Sequence, residues 1–154
     1  MNRFMQRAIE LSLENVRSAG GGPFAALVVK DDLVLATGVN QVTSALDPTA
    51  HAEIVAIRGA CLAIRDFQLK GCELYTTCEP CPMCMSAIYW ARLERVYYAC
   101  TRADAAKAGF DDSLIYDQLA LPLESRKIPM ASMMRAEALA AFREWERSST
   151  KIQY

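Results

Sequence analysis

Two short segments about thirty residues apart constrain this chain more than anything else in it: His51-Ala52-Glu53 and Cys78-Glu79-Pro80-Cys81-Pro82-Met83-Cys84. One supplies an imidazole beside a carboxylate, the other a run of thiols. Zinc takes Cys sulfur and His nitrogen in tetrahedral geometry, and a catalytic site keeps one corner open for water. A fold that uses both segments must bring them to one point. The same residues also suit a structural zinc knuckle with Cys78 in the fourth corner. An iron–sulfur run of the bacterial ferredoxin type would need a further cysteine at position 88, where the chain has Ile88.

Local signals place both segments at helix starts. Asp47-Pro48-Thr49 offers an N-cap followed by a Pro in the first turn, and Ile54, Ile57, Cys61 and Ile64 continue at helical spacing. His51 then falls in the opening turn. Residues 82–92 read as another helix that begins with a Pro, so Cys81 and Cys84 bracket its start. The positive ends of two helix dipoles would face the ligand atoms and favour thiolate. Glu53, two residues from His51, is assigned proton transfer rather than ligation, acting as base and then as acid toward a departing amine. The implied product is ammonia.

The surrounding pattern supplies a frame. Met5, Ile9, Leu13 and Val16 predict a first helix, ended by Gly20-Gly21-Gly22-Pro23; the glycine run lacks the Lys-Ser/Thr of a phosphate loop and reads as a flexible turn. Residues 24–30 and 33–40 form a hairpin about Asp31-Asp32, and 72–78, 94–100 and 128–134 read as further strands. Leu139, Phe142 and Trp145 mark a final amphipathic helix. Hairpin neighbours are antiparallel and crossover neighbours parallel, so the sheet is mixed, and 154 residues suffice for one domain, 1–154.

Composition narrows the partners. Seventeen basic against eighteen acidic side chains oppose a nucleic-acid partner, which usually meets a basic excess. Arg3 and Arg7 interrupt the amino-terminal stretch where a signal peptide needs its apolar core, so the six cysteines are expected in a reducing cytoplasm. No apolar run approaches the ~20 residues that span a bilayer. Cys61, Cys72 and Cys100 sit in apolar periodic segments and read as core cysteines.

His51-x-Glu53 with Pro80-Cys81-x-x-Cys84 matches the signature established for zinc-dependent nucleobase deaminases, and the chain resembles the cytidine deaminase-like superfamily over nearly its whole length. That resemblance implies a three-layer α/β/α sandwich whose mixed sheet has about five strands. Longer strings, Gly22-Pro23-Phe24, Ile88-Tyr89-Trp90-Ala91-Arg92 and Gly109-Phe110-Asp111-Asp112-Ser113-Leu114-Ile115-Tyr116, resemble small zinc-type bacterial guanine deaminases. Asp47-Pro48-Thr49-Ala50-His51-Ala52-Glu53 is shared with tRNA adenosine deaminases.

The resemblance implies one zinc per chain on His51, Cys81 and Cys84, and conversion of guanine to xanthine and ammonia. Glu53 would move protons, and Asp112 would hold or relay a proton at the guanine edge, where N1–H and the 2-amino group present donors to a carboxylate. Asn40, Phe24, Trp90 and Ala52 would line the purine site. Tyr154 would join it from a carboxy-terminal tail, 148–154, exchanged between the subunits of a homodimer. From the residues alone, Asp112 reads as an N-cap for the segment running to Leu119, Phe24 and Trp90 read as core aromatics, and the tail reads as frayed. The rivals are a tRNA adenosine deaminase, a deaminase of a related aminopurine, pterin or triazine, and a non-catalytic zinc module with four protein ligands.

Overall fold

Strands β1 (Ala25–Lys30) and β2 (Leu33–Val39) pair antiparallel about Asp31 and Asp32. The φ angles of 47° and 62° at these aspartates give the left-handed turn that suits strand twist. In this computed structural model, which describes residues 2–154, β3 (Glu73–Cys78) runs antiparallel to β1 and parallel to β4 (Arg95–Cys100), giving the order β2-β1-β3-β4. The helices are α1 (Arg3–Arg17), α2 (Ala52–Ile64), α3 (Pro82–Trp90), α4 (Arg102–Lys107), α5 (Ser113–Ala120) and α6 (Arg135–Arg147). Two compact units result, one running to Asp112 and the other from Ser113 to Tyr154.

The first unit has three layers. Alternation along β1 sends Leu27 and Val29 to one face, where they join Tyr75 and the α1 residues Phe4 and Ala8. Ala26 and Val28 go to the other face and join Leu74, the α2 residues Ala52, Ala56 and Ala60, and Ile88 of α3. A strand buried on both faces reads as an unbroken apolar run, as β1 does. Burying a Leu or Val this fully contributes about 1.5–3 kcal/mol each.

Three expectations about the elements change, and Cys100, read as a core cysteine, is exposed while Cys72 is buried. The sheet has four strands, because 128–134 is irregular: the second unit contains no strand to pair with it, and Pro129 has no N–H to donate. Helix α1 forms, but it buries Phe4, Ala8, Ser12 and Asn15, and leaves Leu13 and Val16 about half exposed. Polar anchoring chooses that face, since Ser12 donates to the Pro23 carbonyl at 2.8 Å and Asn15 donates to the Gly22 carbonyl at 2.9 Å. Helix α2 begins at Ala52 rather than near Pro48, because Asp47 accepts from Thr49 N at 2.8 Å in a local turn and leaves His51 as the N-cap.

Within the second unit, α5, a 3-10 turn at Leu123–Ser125 and α6 bury no residue; Phe142 and Trp145 of the expected amphipathic helix are 65% and 45% exposed. Among the described residues, no helix is long and apolar enough to cross a membrane.

Candidate metal centre and active site

Close packing of α2 on the sheet sets the height of His51. Its small residues let the helix backbone approach β2, where a Cβ on Gly38 would lie 2.2 Å from the Ala52 carbonyl oxygen and 2.5 Å from Ala56 N. His51 is the N-cap of α2, and Cys81 is the N-cap of α3, with Pro82 opening the helix and Cys84 one turn along. Two helix starts converge as the sequence pattern predicts.

His51 Nδ1 lies 3.6 Å from Cys81 Sγ and 3.6 Å from Cys84 Sγ, and the three ligand atoms all fall within 4.8 Å of one another. Tetrahedral zinc with Zn–S of about 2.3 Å and Zn–N of about 2.0–2.1 Å would separate S from N by about 3.6 Å. The donor set therefore fits one zinc without rearrangement. Cys78 stays outside the group: its thiol turns to the Thr101 carbonyl at 3.6 Å, and burial pushes it up to about 11. The fourth protein ligand that a structural knuckle requires is not supplied by Cys78.

The two cysteines are bonded to each other, and each lies against the His51 ring. Cys81 ionises first, brought down to about 4 by the hydrogen bond from Cys84 and by His51. Cys84 is held up by its bond to Cys81, by burial and by the Glu53 charge. The bond to Cys81 raises the His51 imidazole above its usual value. Glu53 is 6% exposed, and burial raises its carboxyl. Its Oε2 receives Cys84 Sγ at 3.5 Å, and its Oε1 receives Thr76 Oγ1 at 3.3 Å.

A second set of residues closes one side. Asn40, buried at the end of β2, uses Oδ1 to accept from Gly22 N at 3.2 Å and Val42 N at 3.3 Å. Its Nδ2 group is therefore the part left to donate. Asn15 Nδ2 ties the Asn40 carbonyl to α1 at 3.0 Å, and a Cβ at Gly21 would lie 2.1 Å from that same carbonyl oxygen. The glycine run is thus a tightly packed clasp rather than a flexible turn. Asn40 N also bonds the Phe24 carbonyl at 3.0 Å, and the Phe24 ring meets Phe110 edge-on at 4.9 Å.

Asp112 lies close enough to the ligands for the Cys81 charge to raise its carboxyl, after burial as the larger cause. Ala52 is fully buried at the start of α2. Trp90 ends α3, 60% exposed, with Arg92 stacked 5.9 Å from its ring. Tyr154 belongs to the second unit and is 71% exposed. Sequence reasoning missed Thr76 and Phe110. Thr76 carried a faint signal, as the one hydroxyl among Cys72, Leu74, Thr76 and Cys78 at alternate positions of the β3 segment.

This fold and this donor set define a zinc-binding deaminase domain. The chain belongs to the family described by the cytidine and deoxycytidylate deaminase zinc-binding region, which it matches over residues 1–100. It is 50% identical to a guanine deaminase of Bacillus subtilis over 151 residues, covering 98% of this chain and 97% of that protein. An X-ray structure of a B. subtilis guanine deaminase superposes with a TM-score of 0.96 at 49% identity, covering 100% of this chain and 99% of that one. A tRNA-specific adenosine deaminase of Agrobacterium fabrum is 46% identical over 93 residues, 58% of this chain and 61% of that protein.

Proposed function

We propose that this protein deaminates guanine hydrolytically to xanthine and ammonia, as a small cytoplasmic zinc enzyme acting on a free purine base. The observation that carries the substrate is the length of the likeness: identity to a guanine deaminase runs through 98% of the chain, whereas the Agrobacterium tRNA deaminase matches 58%. A net charge of −1 agrees with a small-molecule substrate rather than tRNA.

In this reading His51, Cys81 and Cys84 hold the metal. Zinc, when bound, supplies a water acidified to near neutrality for attack on the amidine carbon. The chain does the rest. Glu53 takes a proton from the attacking water and gives it to a ring nitrogen, then carries the proton left on that oxygen to the amine, so that the C–N bond breaks as C=O forms and ammonia departs. Burial raises the Glu53 carboxyl, which makes it a better base and a ready acid on the return step. Asn40 donates from Nδ2 to a purine acceptor, because its Oδ1 is occupied by two backbone N–H groups. Asp112 accepts from the N1–H edge of guanine, a pair of donors that adenine lacks. Phe24 packs against the flat base, Ala52 supplies backbone at the helix start, and Trp90 forms an outer wall.

The whole chain, 1–154, is proposed to work as one catalytic domain in a homodimer whose 148–154 tails are exchanged, bringing Tyr154 of each subunit to the partner's site. Exposed Phe142 and Trp145 on α6, and the unpaired outer edge of β4, support a second copy as their cover. Ammonia release from guanine, adenine, cytosine, related aminopurines, a pterin, a triazine and tRNA tests the substrate, with guanine expected to be turned over best. Preference for tRNA, or no ammonia from guanine, would refute it. Removing 148–154 should lower activity; an active, dimeric truncation would remove the exchange.

A further inference from the structure

We propose that Thr76 is a positioning residue for Glu53, holding its carboxylate in the conformation from which it reaches the metal centre; this rests on the proton-transfer role given to Glu53 above. The argument begins with strand alternation. Leu74 faces α2 and α3 from within the larger apolar cluster, and Thr76, two residues on, shares its side of β3. A valine at 76 would fill the same volume with no polar atom to satisfy. Thr76 is instead 1% exposed, and a buried hydroxyl costs free energy unless it is hydrogen-bonded. Its Oγ1 donates to Glu53 Oε1 at 3.3 Å across the gap between sheet and helix.

The donor is better fixed than the acceptor. Thr76 sits opposite Ala26 of β1 and Tyr98 of β4, so its strand is paired on both sides, and its β-branched side chain has few rotamers. Glu53 has three side-chain torsions to restrain and reaches toward the ligands from the first turn of α2. Its other described side-chain donor is Cys84, at 3.5 Å from Oε2. A cysteine that ligates a metal does so as thiolate and has no proton to give. With metal in place, Thr76 is therefore the side chain that holds Oε1, leaving Oε2 on the ligand side.

The test compares Thr76→Val, Thr76→Ser, Glu53→Ala and the Glu53→Ala/Thr76→Val pair for kcat, KM, zinc content and melting temperature. Thr76→Val should lose about tenfold in kcat at unchanged KM and zinc content, with Thr76→Ser within about threefold of the parent. In the Glu53→Ala background the valine should change nothing further, because a residue that acts through another has no effect once that other is gone. Thr76→Ala, which removes the hydroxyl without adding bulk, should behave as valine does. A crystal structure of zinc-loaded Thr76→Val, in which the Cys84 thiolate cannot donate, should show the Glu53 carboxylate in a different rotamer. The proposal falls if Thr76→Val keeps kcat within about twofold of the parent, or if its loss is in KM or zinc. It falls equally if that loss persists without Glu53, if serine fails to rescue, or if the rotamer is unchanged. Full turnover by Glu53→Ala alone would overturn the functional reading instead, so the two failures are distinguishable.

Discussion

Gly38→Ala should damage the metal centre from the far side of a helix. An alanine Cβ at that position would sit 2.2 Å from the Ala52 carbonyl oxygen and 2.5 Å from Ala56 N, where ordinary contact begins at 3.4 Å. Both obstacles are backbone in the first turns of α2 and cannot rotate away. Relief therefore requires the helix start to lift by roughly 1 Å, at a cost of about 1–3 kcal/mol for overpacking. For a chain of this size that lowers the melting temperature by about 2–12 °C.

The same lift carries His51 and Glu53 with it, while Cys81 and Cys84 stay with α3. The 3.6 Å spacings from Nδ1 to the two sulfurs would then stretch beyond the ~0.2 Å tolerance of a zinc site. Zinc affinity should drop measurably in a chelator competition, and kcat should fall by about a hundredfold at saturating metal. Thr37→Ala is the control: it is exposed on the same strand and should leave zinc binding and turnover as in the parent. If Gly38→Ala melts lower yet binds zinc and turns over guanine normally, the edge strand yields rather than the helix. The close approach would then not be what sets the ligand spacing.

Three further outcomes are expected. Glu53→Ala should retain one zinc per chain by metal analysis and lose about 10²–10⁴ in kcat, the usual worth of a positioned acid–base group; loss of zinc would show that Glu53 is a ligand. Asp112→Ala should lower kcat/KM for guanine by about tenfold or more with zinc content intact, and parent-like kinetics would end its assignment to the guanine edge. Zinc titration of metal-free protein at pH 7 should release at least about one proton, measured calorimetrically in buffers of different ionisation enthalpy. Cys81, brought down to about 4, has none to give, Cys84 gives one, and His51, raised above its usual value, gives a fraction. Release of well under one would show that Cys84 is already ionised before the metal arrives.

Much of this site was legible because its signals are local. A Pro following Cys81 and regular apolar spacing after His51 place both ligand segments at helix starts, and each can be read within a dozen residues. The hairpin turn at Asp31-Asp32 is likewise a matter of adjacent residues. Errors arose where a distant partner decides. Residues 128–134 have a strand-like composition, but a strand exists only through hydrogen bonds to a neighbour, and their own unit offers none. The apolar spacing of α1 does not name its buried face, because the carbonyls of Pro23, Gly22 and Asn40 accept from Ser12 and Asn15 and make that side the one to bury.

By itself, then, the amino-acid sequence determined the chemistry available: which side chains can bind zinc, which carboxylate stands beside them, and where the helices that present them begin. Those properties depend on residue type and on spacing along one stretch of backbone. Tertiary structure decided how the parts are held. It excluded Cys78 from the ligand group, turned the Asn40 amide so that it donates, put the Thr76 hydroxyl against Glu53 and set the height of α2 at Gly38. Each is an interaction across space between residues separated in the chain, where an error of one ångström in packing separates a contact from a clash.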